Sequence, residues 1–287
     1  MIFICTLFII FQGRSFAETI PLEEIIVRGE REALQEECLD IKEVRETPAR
    51  DVGEAIKVIE GINSVRKGAI ANDVVLRGFQ RDNINLLIDG MQIYGACPNR
   101  MEPNSFHIDF AEIEKISVLK GPFDVKNPGS LGGLIEIKTM RPEKGSRGTV
   151  NAFAGPYENI NTSFNTSYGS DKADVSLGYA YRYSLPYKDG DGDRITKLYP
   201  ASSMNRYKDE EEDDKAYSIN TYWSKFGFNL FENNRLEIGY ARQEADDIIY
   251  PYLLMDAVYD DTDRLNVKYE IPDISSRIKK LKAQFYW

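Results

Sequence analysis

The sequence contains a single histidine, His107, and only three cysteines, Cys5, Cys38 and Cys97. One imidazole excludes the histidine-rich zinc centres and weighs against Ser–His–Asp or Cys–His catalysis. Basic charge is also short: 36 Lys and Arg stand against 46 Asp and Glu, a formal charge of -10. A nucleic-acid surface needs a basic face, so that class of partner is excluded. No phosphate-binding glycine loop, nucleophile–base pair or carboxylate constellation stands above the scatter of surface acids, and the chain reads as a non-enzyme. A long apolar run is missing too. Met1 to Phe11 is nearly all apolar but reaches about half the ~20 residues of a spanning helix. With Ser15 and Ala17 as a small-x-small end, residues 1–17 read as a signal peptide, although no positive charge precedes the run. A membrane anchor is the other reading. Export removes Cys5 and leaves Cys38 and Cys97 in an oxidising compartment, where they can pair.

What is present falls into two textures. From 51 to 142 the pattern is a small mixed α/β domain. "DVGEAIKVIEGI" spaces Val52, Ala55, Ile56 and Ile59 as a short amphipathic helix, with Asp51 as cap and Gly61 as stop. "DVVLRG" reads as a strand, and "INLLIDGMQIYG" as two strands turned through Asp89–Gly90. A helical turn precedes the strand Ile116–Leu119, and a final strand covers Leu134–Thr139. Residues 33–50 are charge-dense and read as irregular. Glycines 78, 90, 121, 132 and 133 permit tight turns.

Beyond the polar junction 141–148, alternation dominates, and 16 of the 17 Tyr and 6 of the 14 Phe lie there. In "DVSLGYAYRY" one face holds Val175, Leu177, Tyr179, Tyr181 and Tyr183, the other Ser176, Gly178, Ala180 and Arg182. Such strands suit an outer-membrane β-barrel, apolar toward lipid and small or polar toward the lumen. A soluble antiparallel sheet gives the same alternation, and export plus the aromatic enrichment favours the membrane. Two long loops interrupt the pattern. "DGDGD" at 189–193 resembles part of a calcium loop but lacks the closing glutamate, and reads as a solvated loop. Residues 246–263 form a second loop with an apolar middle.

Taken in order, several stretches resemble the TonB-dependent outer-membrane receptors: "LEEIIVRGER", "DVGEAIKVIEGINSV", "VVLRGFQRDNINLLIDGMQIYG" and "IEKISVLKGPFDVKNPGSLGGLIEIKTMRP". The resemblance implies a signal peptide (1–17), an N-terminal segment (18–50), a plug domain (51–142) and a partial barrel (143–287). Within the second segment, Pro21, Leu22, Glu23, Glu24, Ile25, Ile26 and Val27 would contact a TonB-type energy-coupling protein. Arg77, Gly78, Asp89, Gly90, Gly121, Pro122, Gly132 and Gly133 take structural places in the plug. Arg77, Asp89, Glu136 and Lys138 are charges on strands. A plug turns such groups toward a polar barrel wall, whereas in an ordinary domain they are surface positions. About seven strand candidates follow residue 148, against about 22 in a complete barrel of the family. An open barrel leaves unpaired edges in lipid, so the chain reads as an N-terminal fragment.

"YGACPNRMEP" resembles the copper-receptor branch, in which a Cys-x-x-x-Met of the plug gives half of a sulfur-rich site. Cys97 and Met101 are soft donors suited to Cu(I) and unsuited to calcium or magnesium. The branch's other half is a His-x-Met on a barrel loop. Here Met255 is available, but Leu253 stands where histidine is wanted. His107 is a weaker candidate ligand. Two other readings of Cys97 stay open, a disulfide with Cys38 and a free thiol packed as a small apolar group. The expected function is thus energy-dependent import of a metal across the outer membrane of a Gram-negative bacterium, with copper as cargo and no required cofactor. The alternatives are a siderophore or other metal-chelate receptor and a non-transporting vestigial or structural product.

Overall fold

The chain folds locally where its capping and turn residues direct it. In the computed structural model, which describes residues 36–40, 42–43, 49–97, 101–121, 127, 129, 131–231, 234–253 and 255–287, helix α1 (Val52–Ala55) runs into a 3-10 turn, Ile56–Val58. The Asp51 carboxylate caps it, accepting the Glu54 N–H at 2.8 Å, and Asp51 also accepts the backbone and side-chain N–H of Asn72 at 2.9 Å each. The signal-peptide and coupling-protein expectations, together with Pro98–Arg100 and Pro122, lie outside the described residues.

Strands β1 (Glu36–Asp40), β2 (Ile62–Arg66), β3 (Asn72–Leu76), β4 (Phe79–Gln80), β5 (Ile84–Ile88), β6 (Met91–Gln92), β7 (Ile113–Leu119) and β8 (Gly133–Thr139) build the first part. One sheet has the order β1-β7-β8-β5-β6, with β5 and β8 parallel, and a second is β2-β3-β4. Between them Ile56, Leu76, Ile88, Ile113, Ile116 and Ile137 are fully buried. Burying an aliphatic side chain of this size contributes roughly 1.5–3 kcal/mol. The 33–50 segment is less irregular than its charge density suggests. Its residues 36–40 add to the β7 edge in antiparallel register, with Leu39 inward and Glu37 paired to Lys120. Strand β7 also begins three residues earlier than the alternation indicates, straight out of the 3-10 turn Phe110–Glu112.

The β5–β6 hairpin turns on Asp89 (φ +52°) and Gly90 (φ +81°), the left-handed pair that a two-residue hairpin favours. A Cβ at Gly90 would also lie 3.0 Å from Gln284 Oε1. Gly90→Ala is expected to cost about 1–2 kcal/mol of unfolding free energy, read from denaturant titration.

The second part is a seven-stranded antiparallel meander: β9 (Gly145–Gly155), β10 (Asn159–Gly169), β11 (Ala173–Ser184), β12 (Tyr217–Leu230), β13 (Asn234–Ile248), β14 (Ala257–Pro272) and β15 (Lys280–Tyr286). Each pairs with its sequence neighbour, and the sheet does not close. Its register sorts the two faces. Tyr168, Val175, Phe226, Ile238, Val267 and Phe285 form one continuous apolar row across six strands. One residue along, Asp174, Gly227, Glu237, Lys268 and Gln284 form the opposite, polar row. Tyr168, Phe226 and Phe285 are exposed, whereas Asp174, Glu237 and Lys268 are buried. This inversion, apolar outside and charged inside, is the pattern of a wall between lipid and a polar lumen. On the outer face the apolar band of β13 and β14 gives way above Tyr240 and Leu265 to Arg242, Glu244, Asp261 and Asp263.

Candidate functional site

The α/β domain sits against the polar face of the meander, and buried charge joins them. The Arg264 guanidinium of β14 donates to both Glu112 carboxylate oxygens at 2.8 Å. Arg182 of β11 pairs with Asp109 at 2.9 Å and donates to the Arg50 carbonyl at 2.6 Å. Lys225 of β12 pairs with Asp89 at 3.1 Å and also reaches the Thr139 hydroxyl. In all three the α/β domain supplies the acid and the meander the base. Burial opposes charge on Asp89, but Lys225, Lys268 and two hydrogen bonds from Thr139 outweigh it and hold its pKa at about 2.

Of the four charged strand positions expected from the sequence, Asp89 makes such a wall contact. Arg77 sits in a turn with φ +49°, followed by Gly78 at +85°, and its guanidinium donates to the Lys120 carbonyl at 2.6 Å. Glu136 and Lys138 approach each other at 3.8 Å, both partly exposed. Gly132 donates to the Asn83 carbonyl at 2.7 Å, and Gly133 opens β8 from the left-handed region at +143°. Gly121 is half-buried just after β7.

At one end of this interface, loops of both parts meet in a second apolar cluster. The α/β domain contributes Ala69, Ile70, Ala71, Met101 and Phe106, and the meander Tyr217, Ile219, Ile248, Ile249 and Tyr250. Gly68 permits the approach: a Cβ there would lie 2.5 Å from the Ile249 carbonyl oxygen. Met101 is buried in this cluster, and Cys97 and Leu253 pack on it. Met255 does not join; its side chain is 54% exposed. His107 follows Phe106 but turns to β14, where its Nδ1 lies 3.0 Å from the Thr262 hydroxyl. Burial, reinforced by Arg264, holds its pKa down at about 4, so the ring is neutral at physiological pH. Both described cysteines are free thiols. Cys38 lies on β1 with its sulfur 3.5 Å from the Ser117 hydroxyl, away from the cluster that receives Cys97.

Two neighbours of the sulfur pair carry no assignment from sequence. Glu102 is buried, and its Oε1 accepts the Cys97 N–H at 2.6 Å. Tyr250 is fully buried, and its hydroxyl has no hydrogen-bond partner among the described residues. Burial, then the charges of Asp260 and Glu102, push that phenol up. The acidic residue after Met101 was a visible signal for Glu102; Tyr250 had none. Tyrosines line the surroundings, with Tyr187 and Tyr252 hydroxyls 2.8 Å apart and Tyr207 donating to Asp256 at 2.8 Å. The 189–193 loop closes on itself, Asp189 Oδ1 accepting the N–H of Asp191 at 3.0 Å and of Asp193 at 2.9 Å. Among the described residues, no three or more His, Cys, Asp or Glu side chains gather as a metal-holding group.

Residues 35–134 match the family described as TonB-dependent Receptor Plug Domain. The ferric enterobactin receptor PirA of Pseudomonas aeruginosa is 25% identical over 260 residues, covering 71% of this chain and 35% of that protein. Among solved structures, the copper transporter OprC superposes with a TM-score of 0.75 at 23% identity, over 88% of this chain and 36% of that one. The siderophore receptor PirA from Acinetobacter baumannii superposes with a TM-score of 0.66 at 17% identity, over 88% of this chain and 40% of its own. The chain spans well under half the length of each of these proteins. Each carries the name of a receptor or a transporter. The plug-domain match covers residues 35–134, and the likeness of fold to these solved structures extends through the seven-stranded sheet on whose polar face that domain is seated by buried charge.

Proposed function

We propose that the chain forms the plug and the proximal wall of an outer-membrane importer for a metal-bearing cargo, driven by a TonB-type coupling protein that engages residues 21–27. The observation that carries this reading is the inverted sheet, with its apolar outer row and a plug held on its polar face by Asp89, Asp109 and Glu112. The leading cargo is a ferric siderophore or another metal chelate. Its support is that the relatives carry such names, and that tyrosines 187, 207 and 252 surround the end where the loops of both parts meet. Uptake of an iron-55-labelled siderophore by cells bearing the receptor, with and without a proton-motive force, tests it. Energy-dependent accumulation is expected. Absence of accumulation for every cargo tried supports the non-transporting alternative.

A second reading, a copper ion as cargo, is favoured by the packing of Cys97 and Met101 on one apolar cluster. Soft sulfur donors in a water-poor setting suit Cu(I). Met255 reaches such a site only if its loop folds inward, and Leu253 supplies no donor. Cu(I) stoichiometry on the wild-type chain and on a Cys97→Ala, Met101→Ala variant decides this. The variant is expected to lose Cu(I) binding, and equal binding by both sinks the copper reading.

A further inference from the structure

We propose that the Tyr187 and Tyr252 hydroxyls are a pair of ligands for a ferric ion, taking adjacent coordination positions of a complex that arrives with those positions open. The inference deepens the iron-chelate reading above: it rests on a ferric cargo and names the kind of complex that fits.

The ends of two strands set the pair. Tyr187 follows β11, which ends at Ser184, and Tyr252 follows β13, which ends at Ile248, so both stand on connections at one end of the meander. Their oxygens are 2.8 Å apart. Donors each about 2.0 Å from an octahedral ion stand about 2.8 Å apart when they are neighbours in its shell. The hydrogen-bonded pair therefore already has the spacing of one octahedral edge. A second bond between the same connections, from the Tyr207 hydroxyl to Asp256 at 2.8 Å, holds them together. Tyr187 packs on the second apolar cluster, with the Arg66 guanidinium 5.9 Å from its ring centre, whereas Tyr252 is exposed. One phenol is thus fixed from below and the other is open to an entering complex.

The chemistry selects the metal. Burial and the Tyr252 hydroxyl push the Tyr187 phenol up, so the pair is protonated until a metal binds. A ferric ion forms one Fe–O bond to each oxygen and displaces one proton from each to water. Phenolate is a hard anionic donor, matched to iron(III) and not to a soft Cu(I) ion. The two phenolates fill one edge of the octahedron, and the carrier's own donors keep the rest. A ferric complex with labile neighbouring positions fits this count. A chelate that encloses the ion completely does not.

The test adds ferric nitrilotriacetate, whose carrier leaves neighbouring positions to water, to the full chain in detergent and records the visible spectrum. A new phenolate-to-iron charge-transfer band is expected with the wild type. Tyr187→Phe and Tyr252→Phe should each lose that band, and either serves if the other folds poorly. A ferric tris-catecholate, with its shell full, should keep its own spectrum when the protein is added. No new band with the wild type, or a band of equal strength in both variants, overturns the proposal. Iron-55 siderophore uptake by the same receptor judges the import reading separately. Uptake without the band leaves chelate import standing and removes the tyrosine site, and the band without energy-dependent uptake does the reverse.

Discussion

Replacing Glu112 by alanine should loosen the plug from the wall by about 3–5 kcal/mol, the cost of leaving one partner of a buried ion pair alone. Both members are almost fully enclosed, and the Arg264 guanidinium is held by both carboxylate oxygens at 2.8 Å. Truncation therefore strands a cation in a setting too dry to solvate it. Arg264→Ala should cost a similar amount for the mirror reason. The informative member of the cycle is the double variant, Glu112→Leu with Arg264→Leu. It removes both charges and fills part of the volume, so it should recover most of the loss. Denaturant titration followed by plug-specific proteolysis reads all four proteins. A double variant as weak as either single one would show that the pair contributes through shape and not charge.

The second large effect is a loss of stability in mild acid. His107 is buried and neutral, with its pKa held at about 4 against an ordinary 6.5. Its folded-state pKa lies below the unfolded one, so its contribution is fully present above about 6.5. It is lost as pH falls from there toward 4, where the unfolded chain binds the proton more readily. The difference corresponds to about 3 kcal/mol. The groups that face the ring are Arg264, which opposes a second positive charge, and Thr262, which bonds Nδ1. His107→Gln should flatten this step in melting temperature against pH. Asp89 gives a separate step. Its pKa of about 2 lies below its ordinary 3.8, so its contribution is present above about 4 and lost between there and 2. Two steps are thus expected in the wild-type profile and only the lower one in the His107 variant. A wild-type profile flat from pH 7 to 4 would contradict the buried neutral imidazole.

The local features of the fold were legible because their causes are local. Asp51 caps the helix that it precedes, and Asp89–Gly90 turns the hairpin that its type predicts. Alternation also revealed the meander, since one side of each strand meets a different medium. Strand β1 was not legible. "EECLD" buries only Leu39, and what makes it a strand is the free edge of β7, some 80 residues away. The plug–wall pairs were hidden for the same reason. Asp89 and Lys225 stand 136 residues apart, and Glu112 and Arg264 stand 152 apart, with nothing local to mark either as a partner. At the candidate site, Cys97 and Met101 drew attention through rare sulfur chemistry. Glu102 and Tyr250 are ordinary residues whose significance comes from burial without a matching partner.

The position of β1 also has a mechanical meaning. It is the outermost strand of the five-stranded sheet, joined to β7 alone, with a single buried side chain along its length. Tension entering through the chain ahead of Glu36 is met by this strand before any other part of that sheet. Its ladder can yield one rung after another while β7, β8 and β5 stay paired behind it. Its loss breaks one strand pairing and leaves the other three pairings of that sheet in place.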